Sequence, residues 1–200
     1  NYSNFKKNIN INKNVRSMEI DIMKYSKIIL ISILLVPSLV LAHGPSRQKV
    51  VQEIEINATA ESIWKIIEDF CSIQDWHPGI KSCNTDNGTA IKSIRTIELA
   101  NGEKINEILF KHDKESKKIQ YGMQELDEGR IIKGLPIATH GSTITITEDG
   151  GMSKVKWKGA FYRSFPGQQP PPELTDEACS KAVNNLYKSG LESLKKIAEK

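Results

Sequence analysis

The chain has 200 residues, 28 basic and 24 acidic, with a formal net charge of +4, three cysteines and four histidines. Residues 1–42 hold six of the basic side chains (Lys6, Lys7, Lys13, Arg16, Lys24, Lys27) and two of the acidic ones (Glu19, Asp21), so residues 43–200 carry 22 of each sign and no net charge. That balance excludes a nucleic-acid role resting on a basic footprint, and residues 43–200 suit one domain with a core that needs no staples.

Residues 1–22 begin on Asn and are rich in Asn, Lys and Ile. They are expected to be disordered, and those before the start methionine, Met18 or Met23, to lie upstream of the true start. Residues 23–42 read as a secretory signal peptide. Lys24 and Lys27 form a basic head, Ile28 to Leu41 an apolar run, and Val40-Leu41-Ala42 a cleavage site after Ala42. The run is shorter than the roughly 20 apolar residues of a membrane span. The reading is an exported, periplasmic protein that meets the membrane only through its leader, away from cytosolic NAD(P)H and ATP.

In the exported part, Gln48–Asn57 alternates, with Val50, Ile54 and Ile56 on one face and Val51, Glu53 and Glu55 on the other, as a half-buried strand does. Thr59 is placed to cap a helix carrying Ile63, Trp64, Ile66, Ile67 and Phe70. Trp76-His77-Pro78-Gly79 ends that segment, since the residue before proline avoids helix. Strands follow at Lys92–Leu99 and Lys104–His112, joined through Asn101-Gly102 as a two-residue hairpin, and at Lys117–Glu125 after a charged turn. Ser142–Glu148 and Lys154–Tyr162 flank Asp149-Gly150-Gly151, with Val155, Trp157, Gly159 and Phe161 on the covered face and Lys154, Lys156 and Lys158 on the wet one. After a Pro/Gln/Gly loop at 165–172, Thr175 caps a long helix with an apolar stripe of Val183, Leu186, Leu191, Leu194 and Ile197. The order predicts an α+β helix-grip fold: a curved antiparallel sheet wrapped around a long C-terminal helix, with a cavity between them as the default ligand site.

Several strings carry a resemblance: His43-Gly44-Pro45-Ser46, Trp76-His77-Pro78, Leu135-Pro136, Val155-Lys156-Trp157-Lys158-Gly159 with Phe161-Tyr162-Arg163, and Pro170 through Ala178. With the element order they resemble the SRPBCC superfamily of START domains, Bet v 1-like allergens and polyketide cyclases, and within it the MxaD-type proteins of methanol-oxidising bacteria. The likeness spans residues 43–197. It implies a periplasmic accessory protein, without catalytic residues or a cofactor, that aids electron passage between a quinoprotein dehydrogenase and its cytochrome c.

The cavity candidates are Trp76, His77, Tyr121, Glu125, His140, Trp157 and Tyr162, for a small hydrophobic ligand. A cyclase-like enzyme would draw its acid–base groups from Tyr121, Glu125, Arg130, His140, Tyr162 and Arg163. Glu125 shares the alternation of Ile119 and Tyr121; it is a desolvated cavity carboxylate if that face looks inward and a solvated strand-end group otherwise. His77 is a cavity contact or a packed corner. No pair among His43, His77, His112 and His140 has metal-ligand spacing. His43, the expected mature N-terminus, offers an amine and an imidazole that suit copper. In an oxidising compartment Cys71 and Cys83 are candidates for a disulfide, leaving Cys179 as a buried thiol.

Overall fold

The computed structural model describes residues 44–200; the leader, its cleavage site and His43 lie outside them. The chain enters as β1 (Gln48–Ile56), turns into α1 (Ala60–Ile67) and the single-turn α2 (Ile73–Trp76), and runs through β2 (Ile80–Thr85), β3 (Ile94–Leu99), β4 (Lys104–Asp113), β5 (Lys118–Met123), β6 (Ile137–Asp149) and β7 (Met152–Arg163). A 3-10 turn at Pro172–Leu174 then leads into α3 (Asp176–Ala198). The seven strands make one curved antiparallel sheet in the order β1-β7-β6-β5-β4-β3-β2. The expected helix-grip architecture is the one observed.

The two caps sit where the sequence places them. Thr59 accepts a hydrogen bond from Ser62 N–H, and Thr175 accepts one from Ala178 N–H. Each cap satisfies an orphan donor of a first turn and is worth about 1 kcal/mol. α1 stops at Ile67 rather than running to Phe70, because the Asp69 carboxylate takes the Cys71 N–H and turns the chain. Phe70 is buried all the same.

Three local features differ from expectation. β2 was not anticipated, because a bulge between Ile80 and Ser82 breaks the alternation that marks a strand. The β3–β4 turn holds three residues, Ala100-Asn101-Gly102, closed by Gly102 N–H to the Leu99 carbonyl with Gly102 at φ 88°. β6 begins five residues earlier than Ser142 and carries a bulge between Ile137 and Thr139. The Gly150-Gly151 turn between β6 and β7 is a two-residue hairpin with both φ positive.

α3 is seated on the sheet by close approach. A Cβ on Gly190 would lie 2.5 Å from His77 Cδ2 and 2.9 Å from Trp157 Cζ3, so only glycine lets the helix descend onto those rings. The Cys71–Cys83 disulfide joins the α1–α2 turn to β2.

Candidate functional site

Between α3 and the concave face of the sheet lies a small cavity walled mostly by Ile97, Leu99, Ile105, Leu135, Val183 and Leu186, with Glu107, Tyr121, His140 and Trp157 among its other lining residues. The room for a water-sized centre is ≈ 20 Å³; about 10–15 Å³ admits one water. The interior of this helix grip is thus nearly filled by its own side chains.

Its polar lining residues belong to a longer chain of buried groups from four strands and α3. Trp157 Nε1 donates to Ser142 Oγ at 2.7 Å, Ser142 Oγ lies 3.0 Å from the Tyr187 hydroxyl, and that hydroxyl lies 2.6 Å from His140 Nε2. Tyr187 stacks flat on Trp157, centroids 4.3 Å apart. The indole can only donate, so Ser142 Oγ accepts from it; the Ser142 proton has the Lys158 carbonyl at 3.3 Å and the Tyr187 oxygen at 3.0 Å in reach, and one proton is shared between the Tyr187 hydroxyl and His140 Nε2. On the other side of the ring, Nδ1 lies 4.0 Å from Glu107 Oε1. Burial holds His140 below the usual histidine range, and the Arg95 charge adds to that effect while Glu107 opposes it.

Glu107 is held from the other side by Arg95. Arg95 Nε donates to Glu107 Oε2 at 2.8 Å, and Nη2 lies 2.6 Å from the same oxygen but off its N–H direction, making an ion-pair contact rather than a second hydrogen bond. Arg95 Nη1 donates to the Phe70 carbonyl, and the guanidinium lies 4.1 Å and 4.6 Å from the ring centroids of Phe70 and Tyr121. Both charged side chains are almost fully buried. Glu107 and His140 both line the cavity, and neither Glu107 Oε1 nor His140 Nδ1 has a hydrogen bond to the described residues; a hydroxyl placed between them has a proton for the carboxylate and lone pairs for an imidazole N–H.

The sequence-derived candidates divide. Tyr121, His140 and Trp157 line the cavity. Tyr121 is buried, which pushes its phenol well above the usual range. His77 touches the cavity but has no polar atom to spare: Gly79 N–H donates to Nδ1 and Nε2 donates to the Leu186 carbonyl, each at 2.9 Å. It is the packed corner of the two readings, and burial lowers its pKa. Trp76 is buried edge-on against Trp157, behind the cavity wall. Two placements are corrected. Glu125 lies past the end of β5 and is exposed, because the strand stops at Met123. Tyr162 sits between the inward Phe161 and Arg163 and therefore points outward, 39% exposed.

The other acid–base candidates are also elsewhere. Arg130 is bound to the Lys104 carbonyl, and Arg163 ties Asp176 to the carbonyls of Phe165 and Gly167. His112 bonds the Glu68 carbonyl. Cys179 is a buried thiol whose Sγ donates to the Pro136 carbonyl, with its pKa raised by burial. Among the described residues no three His, Cys, Asp or Glu side chains gather as a metal site.

Arg95, Glu107, Ser142 and Tyr187 were missed. Their signals were present: Arg95 and Glu107 occupy the inward parity of Ile97 and Ile105 and mirror each other across the Asn101 turn. Tyr187 lies one helical turn from both Val183 and Leu191.

Residues 47–199 match the family model described as polyketide cyclase/dehydrase and lipid transport. The chain belongs to that family. Among solved structures, this family member is similar to an uncharacterized protein from Bacillus thuringiensis (25% identity over 75% of this chain and 98% of that one, TM-score 0.60). It is similar in fold to XoxI from Bacillus cereus (24% identity, 75% and 94% covered, TM-score 0.60) and to Ara h 8.0201 (12% identity, 76% and 98% covered, TM-score 0.57). No protein of curated function matches the sequence.

Proposed function

We propose that this family member is a non-catalytic binding protein whose interior site takes a small molecule with an apolar body and one hydroxyl head. The observation that carries the reading is the pair of unused polar atoms, Glu107 Oε1 and His140 Nδ1, on two residues that line a mostly apolar cavity. Polar atoms left without partners in a mostly apolar interior are costly, up to about 1–3 kcal/mol each, and a hydroxyl that pairs with them recovers part of that cost. Entry is through the wall shared with an outer hollow of ≈ 380 Å³: Leu99, Leu135 and Leu186 line both spaces. Rotation of those side chains joins them and enlarges the site.

The test uses 2-phenylethanol and ethylbenzene, which differ in the head group alone. Ring resonances of His140 and Tyr121 should shift with the alcohol, with about tenfold weaker response to ethylbenzene, and Glu107→Gln should narrow that gap. Equal responses to both probes, or none to either, would end the reading.

The setting proposed for this binder is the exported, accessory one. The leader pattern and the MxaD-like strings support a periplasmic protein that assists a quinoprotein dehydrogenase and its cytochrome c, and the near-filled interior favours work by surface contact over bulk transport of lipid. The rate of electron transfer in a reconstituted dehydrogenase–cytochrome pair should rise on adding the protein. An unchanged rate at equimolar protein removes this setting and leaves the cavity reading standing.

A further inference from the structure

The convex face of the sheet has a feature that the cavity does not use. Strand register places two rows of residues side by side across it. One row runs Val51, Lys158, Thr143, Gln120 over β1, β7, β6 and β5; the next runs Lys49, Ala160, Gly141, Gly122 over the same strands. The second row has almost no side chain in its middle, so the surface sinks there into a hollow of ≈ 420 Å³. A Cβ on Gly141 would touch nothing within 4 Å, whereas at Gly122 it would strike Phe110, whose ring closes that end.

The chemistry of the hollow is one-sided. Arg47, Lys49 and Lys158 border it, no carboxylate does, and none of the three has an ion-pair partner among the described residues. The neighbouring lysines of the same strand differ: Lys156 is paired with Glu53 and Lys154 with Glu55. In a domain with equal numbers of acids and bases, three unpaired cations around one concavity are a local excess. A second observation points the same way. Thr143, in the wall of the hollow, is 8% exposed, and its hydroxyl makes no hydrogen bond to the described residues. Val51 and Phe110 are each about half exposed at opposite ends, the apolar anchors that an interface centre needs.

We propose that this outer hollow docks a protein partner that presents clustered carboxylates. One carboxylate enters over Gly141 and Ala160, accepts from the Thr143 hydroxyl, and lies among Arg47, Lys49 and Lys158, while Val51 and Phe110 take apolar contact. The cations steer the encounter and fix its polarity. The inference is independent of the interior site.

Hexaglutamate is the probe, added to the 15N-labelled full chain at about 20 mM salt. Amides of Val51, Gly141, Thr143 and Ala160 should shift together and saturate. The double variant Lys49→Glu/Lys158→Glu should weaken binding about tenfold and Thr143→Val about threefold. Lys114→Glu/Lys118→Glu, on the charged turn, should leave it unchanged. If the first double variant does not fold, Lys49→Gln/Lys158→Gln serves in its place with a smaller loss. The proposal is overturned if the shifts centre on the 111–118 turn, if they spread over all lysines, or if the hollow variants bind normally. Tighter protection of these amides by phosphatidylglycerol vesicles than by the peptide would assign the face to a membrane. Shifts that follow protein concentration without peptide would assign it to a second copy. Either result also overturns the proposal. None of these readouts involves the His140 and Tyr121 rings, so failure here and failure of the cavity reading are distinguishable.

Discussion

Two cross-strand ion pairs in this sheet have the same chemistry and opposite surroundings. Arg95 and Glu107 are opposed on β3 and β4, as Lys156 and Glu53 are on β7 and β1, and each pair closes to 2.6 Å. The first faces inward, with side chains 4% and 6% exposed; the second faces outward, at 44% and 38%. Inside, each charge has been stripped of water and depends on the other, on the Phe70 carbonyl and on two aromatic rings. Outside, water and salt do most of what the partner does. Separation alone therefore says little about what a charge pair contributes, and the inner pair is the one on which the packing rests.

The sharpest way to break this contrast is to remove one charge from each pair. Glu107→Ala leaves the Arg95 guanidinium buried and alone, and should lower unfolding free energy by about 3–5 kcal/mol, read from urea melts. A loss under about 1 kcal/mol would mean that the guanidinium reaches water by another route. Acidification should act next in size and only on the inner side. His77 and His140 are held below the ordinary histidine range in the fold, so below about pH 6.5 the unfolded chain binds more protons than the folded one. Stability is full above that pH and falls as the pH drops toward the folded values. The urea midpoint should be lower at about pH 5.5 than at about pH 7.5, with part of the drop absent in His140→Gln. The outer pair is untouched in this window, since Lys156 pulls the Glu53 carboxyl below its usual range. The smallest effect belongs to Glu53→Ala, whose melt should overlay that of the parent; a measurable loss would show that the exposed pair is stiffer than its surroundings suggest.

What the sequence made legible was whatever is decided locally. Alternation placed β1 and β7, glycine pairs and caps placed the turns and helix starts, and spacing around the Trp-His-Pro turn named the cysteines that the disulfide joins. The interior polar chain was largely illegible, because each link needs two elements brought together. His140 and Trp157 could be named as inward candidates, but Ser142 and Tyr187 acquire meaning only when α3 is laid over β6 and β7. Glu125 and Tyr162 went wrong for a simpler reason: parity was extended past the strand's end in one case and not applied strictly in the other.

The seat of α3 on β7 has a consequence for how this sequence can drift. A Cβ at Gly159 would lie 2.0 Å from the Tyr187 hydroxyl. The bare α-carbon of one residue is thus the socket for the oxygen of the other, 28 positions downstream. Neither can be exchanged alone without either a clash or a hole, so in any lineage descended from this chain the two sites should change as a couple, a phenylalanine or smaller residue at 187 appearing together with a side chain at 159.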